Sequence, residues 1–324
     1  MNQGTAPLAA ALSTAVDAGA PALDRLAGAA PVSRHDRAHT LLVLYDLHTA
    51  PVAQLGRSAE LQWHPVVNEI KTRLERQWMD ELDAAPAPPG EAIAIMRTVA
   101  ARDRVPPVYR WLADYATWEE VVHFLTLEGG PDAGFDDLVA TCQIGLAGRP
   151  KLELATNYWD EMGRGQLEGV HTVLHDRMVE ALAMPRLDRR EQSAEALERV
   201  ALGALLATNR WLQPEMLGAL GLIEIQAGPR CRMVLRAFDR VGAPEDAYPF
   251  YRVHAEVDPI HGRAWLENAI LPTISEQPSW APRIVRGAWW RSQVNAAFFQ
   301  SMSPEDVQPV AKILVGAASE RLSR

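Results

Sequence analysis

Residues 250–265 read FYRVHAEVDPIHGRAW, which places His254, Asp258 and His261 at offsets of four and then three residues inside an apolar and aromatic run. At about 100° per residue, the three side chains fall within roughly 60° of one another on a helix. They converge, either to pin a polar network inside a core or to bind something. With nine histidines in the whole chain, two on one buried stripe with a carboxylate between them call for an explanation.

Helical patterning extends outward from this stretch. HPVVNEIKTRLERQWMDELDAA (64–85) spaces its apolar residues with a 3.6 period and sets Glu and Arg opposite them, and REQSAEALERVALGALLATNRWLQ (190–213) and APRIVRGAWWRSQVNAAFFQSMS (281–303) are also helical in pattern. Gly, Pro and Asp punctuate the joints. No segment alternates with period two beside a hairpin signal, and no internal repeat is visible. The class is therefore all-α, a helical bundle rather than a solenoid. Residues 1–35, rich in Ala, Gly and Pro, predict a loosely ordered N-terminal extension with room for one short helix; 36–324 predict a single helical domain.

Composition narrows the partners. The 324 residues are 48% hydrophobic and 23% charged, enough for a sizeable core, and the net charge of −9 argues against nucleic acid or an anionic membrane surface. Two cysteines, Cys142 and Cys231, make neither a disulfide framework nor a zinc knuckle. No run approaches the ~18 apolar residues of a membrane span, and the N-terminal stretch lacks the basic start of a signal peptide. A cytoplasmic protein that meets small molecules or other proteins is expected.

Two further segments carry chemistry-bearing residues. YWDEMGRGQLEGVHTVLHD (158–176) contains Glu161, Glu168, His171 and His175, and Glu168 with His171 makes the Glu-x-x-His spacing by which one helix supplies an oxygen and an imidazole to a metal. Glu224 follows an uncharged run in MLGALGLIEIQAGP (216–229), and burying it alone would be costly. Each feature has an ordinary explanation: a chance pair on a solvated face, a salt bridge from Glu224 to Arg230 or Arg232, a metal-free His–carboxylate network. Taken together on three helices, they favour a two-metal site. Oxygen and imidazole donors without thiolate suit iron or manganese over structural zinc. A rival Glu-x-x-His pair, Glu120 and His123, would suit a ferritin-like site but leaves residues 250–265 unexplained.

The order Glu then His, a single Glu some fifty residues later, and His-x-x-x-Asp-x-x-His about thirty residues after that resembles the haem-oxygenase-like di-iron oxidases and oxygenases, or iron-containing redox enzymes. NYWDEMGRG (157–165), EGGPD (128–132) and the opening stretch carry the likeness, which covers roughly residues 95–300. The resemblance implies a haem-oxygenase-like helical bundle with His171, Glu224, His254, Asp258 and His261 as iron ligands. For the first carboxylate, many relatives show Glu-x6-His, but Arg164 stands in that position here. Glu161 and Glu168 are thus alternatives, or both ligands, with Glu161 reaching the site if residues 163–165 break the helix. Pro259 is a second departure, because it removes a helix hydrogen bond and crowds the carbonyl of Ala255.

The resemblance also implies two irons per chain, with manganese as the alternative metal, and O2-dependent oxidation of a small amine- or carboxylate-bearing metabolite by N-oxygenation, oxidative C–C cleavage or desaturation. A homodimer and an external electron donor stay open. The alternative from another class is a metal-free helical binding or scaffold protein.

Overall fold

The computed structural model describes residues 6–128 and 134–303. Among these residues no strand forms, and one isolated bridge joins Met162 to Val170. The α-helices of six residues or more among the described residues are, in chain order, α1 (Leu8–Ala18), α2 (Arg34–Thr49), α3 (Pro65–Asp83), α4 (Ala92–Arg102), α5 (Pro107–Asp114), α6 (Trp118–Glu128) and α7 (Phe135–Cys142). There follow α8 (Gly148–Glu161), α9 (His171–Ala181), α10 (Ala194–Thr208), α11 (Gln213–Val241), α12 (Tyr248–Ala264), α13 (Leu271–Glu276) and α14 (Ala281–Ser301). The all-α class is as expected. No helix among the described residues is long and apolar enough to cross a membrane.

These helices group into two compact units, Met1–Ala87 with Leu187–Gln213 and Pro88–Arg186 with Pro214–Arg324, where the sequence predicts one domain from residue 36. In the first unit α10 packs on α2. Glu198 of α10 accepts from Arg34 Nε at 2.8 Å and lies 3.3 Å from Arg37 Nη2. Pairings some 160 residues apart leave no local trace in the sequence. The expected loose extension also contains an anchored helix: Leu8, Leu12 and Ala15 of α1 are buried, and α1 packs on α2. Buried Asp36 accepts from the backbone N–H groups of Leu8 and Ala9 at 2.8 and 2.9 Å. These N–H groups lack partners within their own helix, so the carboxylate caps α1 and joins it to α2.

In the second unit the crossing of α11 and α12 matters most for function. A Cβ on Gly262 of α12 would lie 2.7 Å from Ile225 Cα and 2.9 Å from the Glu224 carbonyl oxygen, so only glycine lets the two backbones meet there. One turn away, Gly228 makes room for the ring of Pro259, whose Cδ would stand 2.8 Å from an added Cβ. Pro259 does not end α12, which continues to Ala264. The carbonyl of Ala255, which loses its helical donor to the proline, accepts from Arg232 Nη1 of α11 at 2.9 Å. A π-helical segment, Trp265–Ile270, follows, anchored by the fully buried Trp265, whose Nε1 donates to the Leu217 carbonyl at 3.0 Å.

Candidate metal centre

The site is assembled by α8, α9, α11 and α12. Helix α8 stops at Glu161 because Gly163, Arg164 and Gly165 take φ values of 59°, 53° and 84°. Left-handed backbone costs a non-glycine residue such as Arg164 about 1–2 kcal/mol, so this is a built reversal rather than a continued helix. The Met162–Val170 bridge closes it, and a Cβ on Gly163 would lie 2.4 Å from the Gly169 carbonyl carbon. Helix α9 begins only at His171, and Glu161 Oε2 comes to 2.7 Å from His171 Nδ1. Glu168 sits in the turn before α9, exposed and apart from the other candidates. Glu-x-x-His geometry needs both residues on one helix, and here the pair straddles its start.

Two groups of three donors, in each of which the potential ligand atoms lie within 4.8 Å of one another, form among the described residues. One is Glu161, His171 and His254; the other is Glu224, Asp258 and His261. The placement brings six of the seven predicted ligands together and leaves out Glu168. Five of the six are buried, each no more than 5% exposed, and His254 is half-buried.

Neighbouring groups aim these donors. His254 Nδ1–H donates to the Phe250 carbonyl at 2.6 Å, leaving Nε2 as the donor nitrogen. His261 Nε2–H donates to Asp160 Oδ2 at 2.8 Å, and His261 Nδ1 lies 3.6 Å from Glu224 Oε2. The other Glu224 oxygen accepts from Asn157 Nδ2 at 2.8 Å. Thus Glu224 is held by Asn157 and faces His261, whereas the arginines the sequence offered donate elsewhere, Arg230 to the Asp103 carbonyl and Arg232 to the Ala255 carbonyl. Neither Asn157 nor Asp160 stands out in the sequence; the available signal is the helical spacing of Asn157, three residues before Asp160 and four before Glu161.

Burial and charge set the protonation states. Burial, with the neighbouring His171, lowers the His254 pKa to about 4, so its ring is neutral. Burial, with Glu224 and Glu161 close by, pushes Asp258 well above the usual carboxylate range. Burial also opposes charge on His261, but the hydrogen bonds and charges of Glu224 and Asp160 outweigh it and raise the imidazole to about 9. Asp258 Oδ2 is buried with no hydrogen-bond partner. A buried carboxyl oxygen left so is expensive, and a bound cation would answer it.

A cavity of about 100 Å³ opens onto both groups, lined by Glu161, His171, His254, Glu224 and Asp258. Phe250, Tyr251 and Ile223 supply apolar wall, and Cys231 also lines it. Burial, then the charge of Asp258, pushes the Cys231 thiol far up, so it brings no thiolate to the site. A sequence model of the iron-containing redox enzymes matches residues 122–296, more than half of the chain. The chain belongs to this family. No match emerges among curated proteins.

The residues of this iron-containing redox enzyme fit the metal the family name specifies. Two histidines and one carboxylate in the first group form the donor set of non-haem Fe(II) sites, and two carboxylates and one histidine in the second are equally oxygen- and nitrogen-based. The rival pair does not assemble a comparable site: Glu120 Oε2 accepts from the Thr117 backbone N–H at 2.7 Å as part of a helix cap, and both Glu120 and His123 are exposed. Glu128 lies at the end of α6 and accepts from Tyr109 Oη at 3.0 Å. Gly129–Asp132 of the EGGPD stretch lie outside the described residues.

Proposed function

We propose that the enzyme is a non-haem di-iron oxidase or oxygenase that uses O2 to oxidise a small amine- or carboxylate-bearing metabolite. The observation that carries this is the pair of buried three-donor groups opening onto one cavity. Glu161, His171 and His254 would hold one iron and Glu224, Asp258 and His261 the other, with manganese as the alternative metal. Iron bound by these groups supplies the reduction of O2.

The chain's own part is to place and shield. With three protein donors in each group, a bound iron would have room for O2 and substrate. Phe250, Tyr251 and Ile223 give the cavity an apolar wall, which restricts water around the reacting groups. N-oxygenation puts one oxygen atom into the product and needs two electrons and two protons to turn the other into water, so it calls for an external electron donor. Desaturation takes two electrons from the substrate and reduces O2 to hydrogen peroxide without a donor.

The test is anaerobic loading with Fe(II), mixing with O2, and screening of small amines, amino acids and fatty acids by mass spectrometry of products. Substrate-dependent O2 consumption, lost in His254→Ala and in His261→Ala but kept in His123→Ala, is the expected result. No iron uptake in any condition would leave the metal-free polar network standing and turn attention to protein partners.

A further inference from the structure

We propose that Asn157 and Asp160 are positioning residues for the group formed by Glu224, Asp258 and His261, holding Glu224 and His261 in the orientation a metal takes. This rests on the reading of that group as a metal site. On α8, Asn157, Asp160 and Glu161 stand at i, i+3 and i+4 and therefore share one face. Glu161 belongs to the first group, whereas its two neighbours reach into the second.

The contacts are directional. Asn157 Nδ2 donates to Glu224 Oε1 at 2.8 Å, so that oxygen is occupied and Oε2 is the one left toward His261. Asp160 Oδ2 accepts from His261 Nε2–H at 2.8 Å, which fixes the tautomer and leaves Nδ1 on the side of Glu224 and Asp258. The second Asp160 oxygen is taken by Arg164 Nε at 2.6 Å, from the left-handed turn that ends α8. Asp160 is thereby braced on both sides. Asn157 is buried, so its side chain has little freedom to leave Glu224. Asp258 has no such brace on its Oδ2. One rigid helix thus supplies a ligand to one group and aims two ligands of the other.

The alternative is that Asp160 and Asn157 merely satisfy buried polar atoms. The discriminating experiment is anaerobic Co(II) titration of the full chain, read by its visible d–d bands, in a His254→Ala background so that only the second group reports. Asp160→Ala and Asn157→Ala are each expected to weaken Co(II) binding by about 10- to 100-fold. Asp160→Asn, which keeps an oxygen acceptor for His261, is expected to recover part of that loss. The same substitutions in a His261→Ala background are expected to leave Co(II) binding at the first group within about twofold.

Unchanged affinity at the second group in Asp160→Ala, with metal bound by the parent, overturns the proposal and leaves the metal-site reading intact. Equal losses at both groups, with a lowered melting temperature of the metal-free protein, also overturn it by showing a purely structural role. Failure of the parent to bind Co(II) overturns both. Should Asp160→Ala fail to fold, Asp160→Asn and Asn157→Ala carry the same comparison.

Discussion

Gly262→Ala perturbs the crossing that brings Glu224 to Asp258 and His261. The added Cβ would stand 2.7 Å from Ile225 Cα, about 0.7 Å inside an ordinary van der Waals contact, and 2.9 Å from the Glu224 carbonyl oxygen. Both obstacles are backbone, so neither can rotate away, and α12 must shift from α11. Alanine is favoured over glycine within a helix by about 1 kcal/mol, whereas overpacking of this kind costs about 1–3 kcal/mol. The clash wins. The metal-free protein should lose up to about 2 kcal/mol, the difference between the two terms, read as a fall in melting temperature of about 2–4 °C per kcal/mol. A shift of this size also exceeds the ~0.5 Å within which ligands must be held, so metal affinity at the second group should drop by tenfold or more, measured by anaerobic titration. An unchanged or raised melting temperature with undiminished metal affinity would refute the idea that this backbone contact sets the site.

Metal uptake at the second group should release protons. His261, raised to about 9, holds a proton near neutral pH in the metal-free protein, and the upward shift of Asp258 acts in the same direction; the metal-bound form holds fewer protons. Affinity there should therefore rise with pH between 6 and 8, whereas His254, lowered to about 4, is already neutral across that range. Calorimetry in buffers of different ionisation enthalpy measures this, and proton-independent binding would contradict it. Arg232→Ala should destabilise by about 0.5 kcal/mol by removing the exposed donor to the Ala255 carbonyl, and by less in a Pro259→Ala background, where a restored backbone N–H takes its place; denaturant melts of the double-mutant cycle decide it. Asp36→Ala, which removes the cap shared by Leu8 and Ala9, should cost about 1–2 kcal/mol and increase hydrogen exchange over α1 more than over α3.

The helical class and the convergence of His254, Asp258 and His261 were legible because both depend on a period of 3.6, a property of local sequence. Glu224 was legible for a different reason, as one carboxylate in an uncharged run needs a partner. The choice between Glu161 and Glu168 was not, because it turns on three consecutive left-handed residues, one of them Arg164, and glycines on either side mark only where such a turn is cheap. The fate of Pro259 depended on Arg232 and Gly228, a helix away. Asn157 and Asp160 carry no signature beyond helical spacing, since their partners lie 67 and 101 residues distant. The two-unit division was equally hidden, because Leu187–Gln213 joins the first unit across a hundred intervening residues.

The most direct test of the central claim is anomalous diffraction at the iron edge from crystals loaded anaerobically with Fe(II). Two iron peaks per chain are predicted, one among Glu161, His171 and His254 and one among Glu224, Asp258 and His261. A single peak outside both groups, or iron at Glu120 and His123, would contradict it.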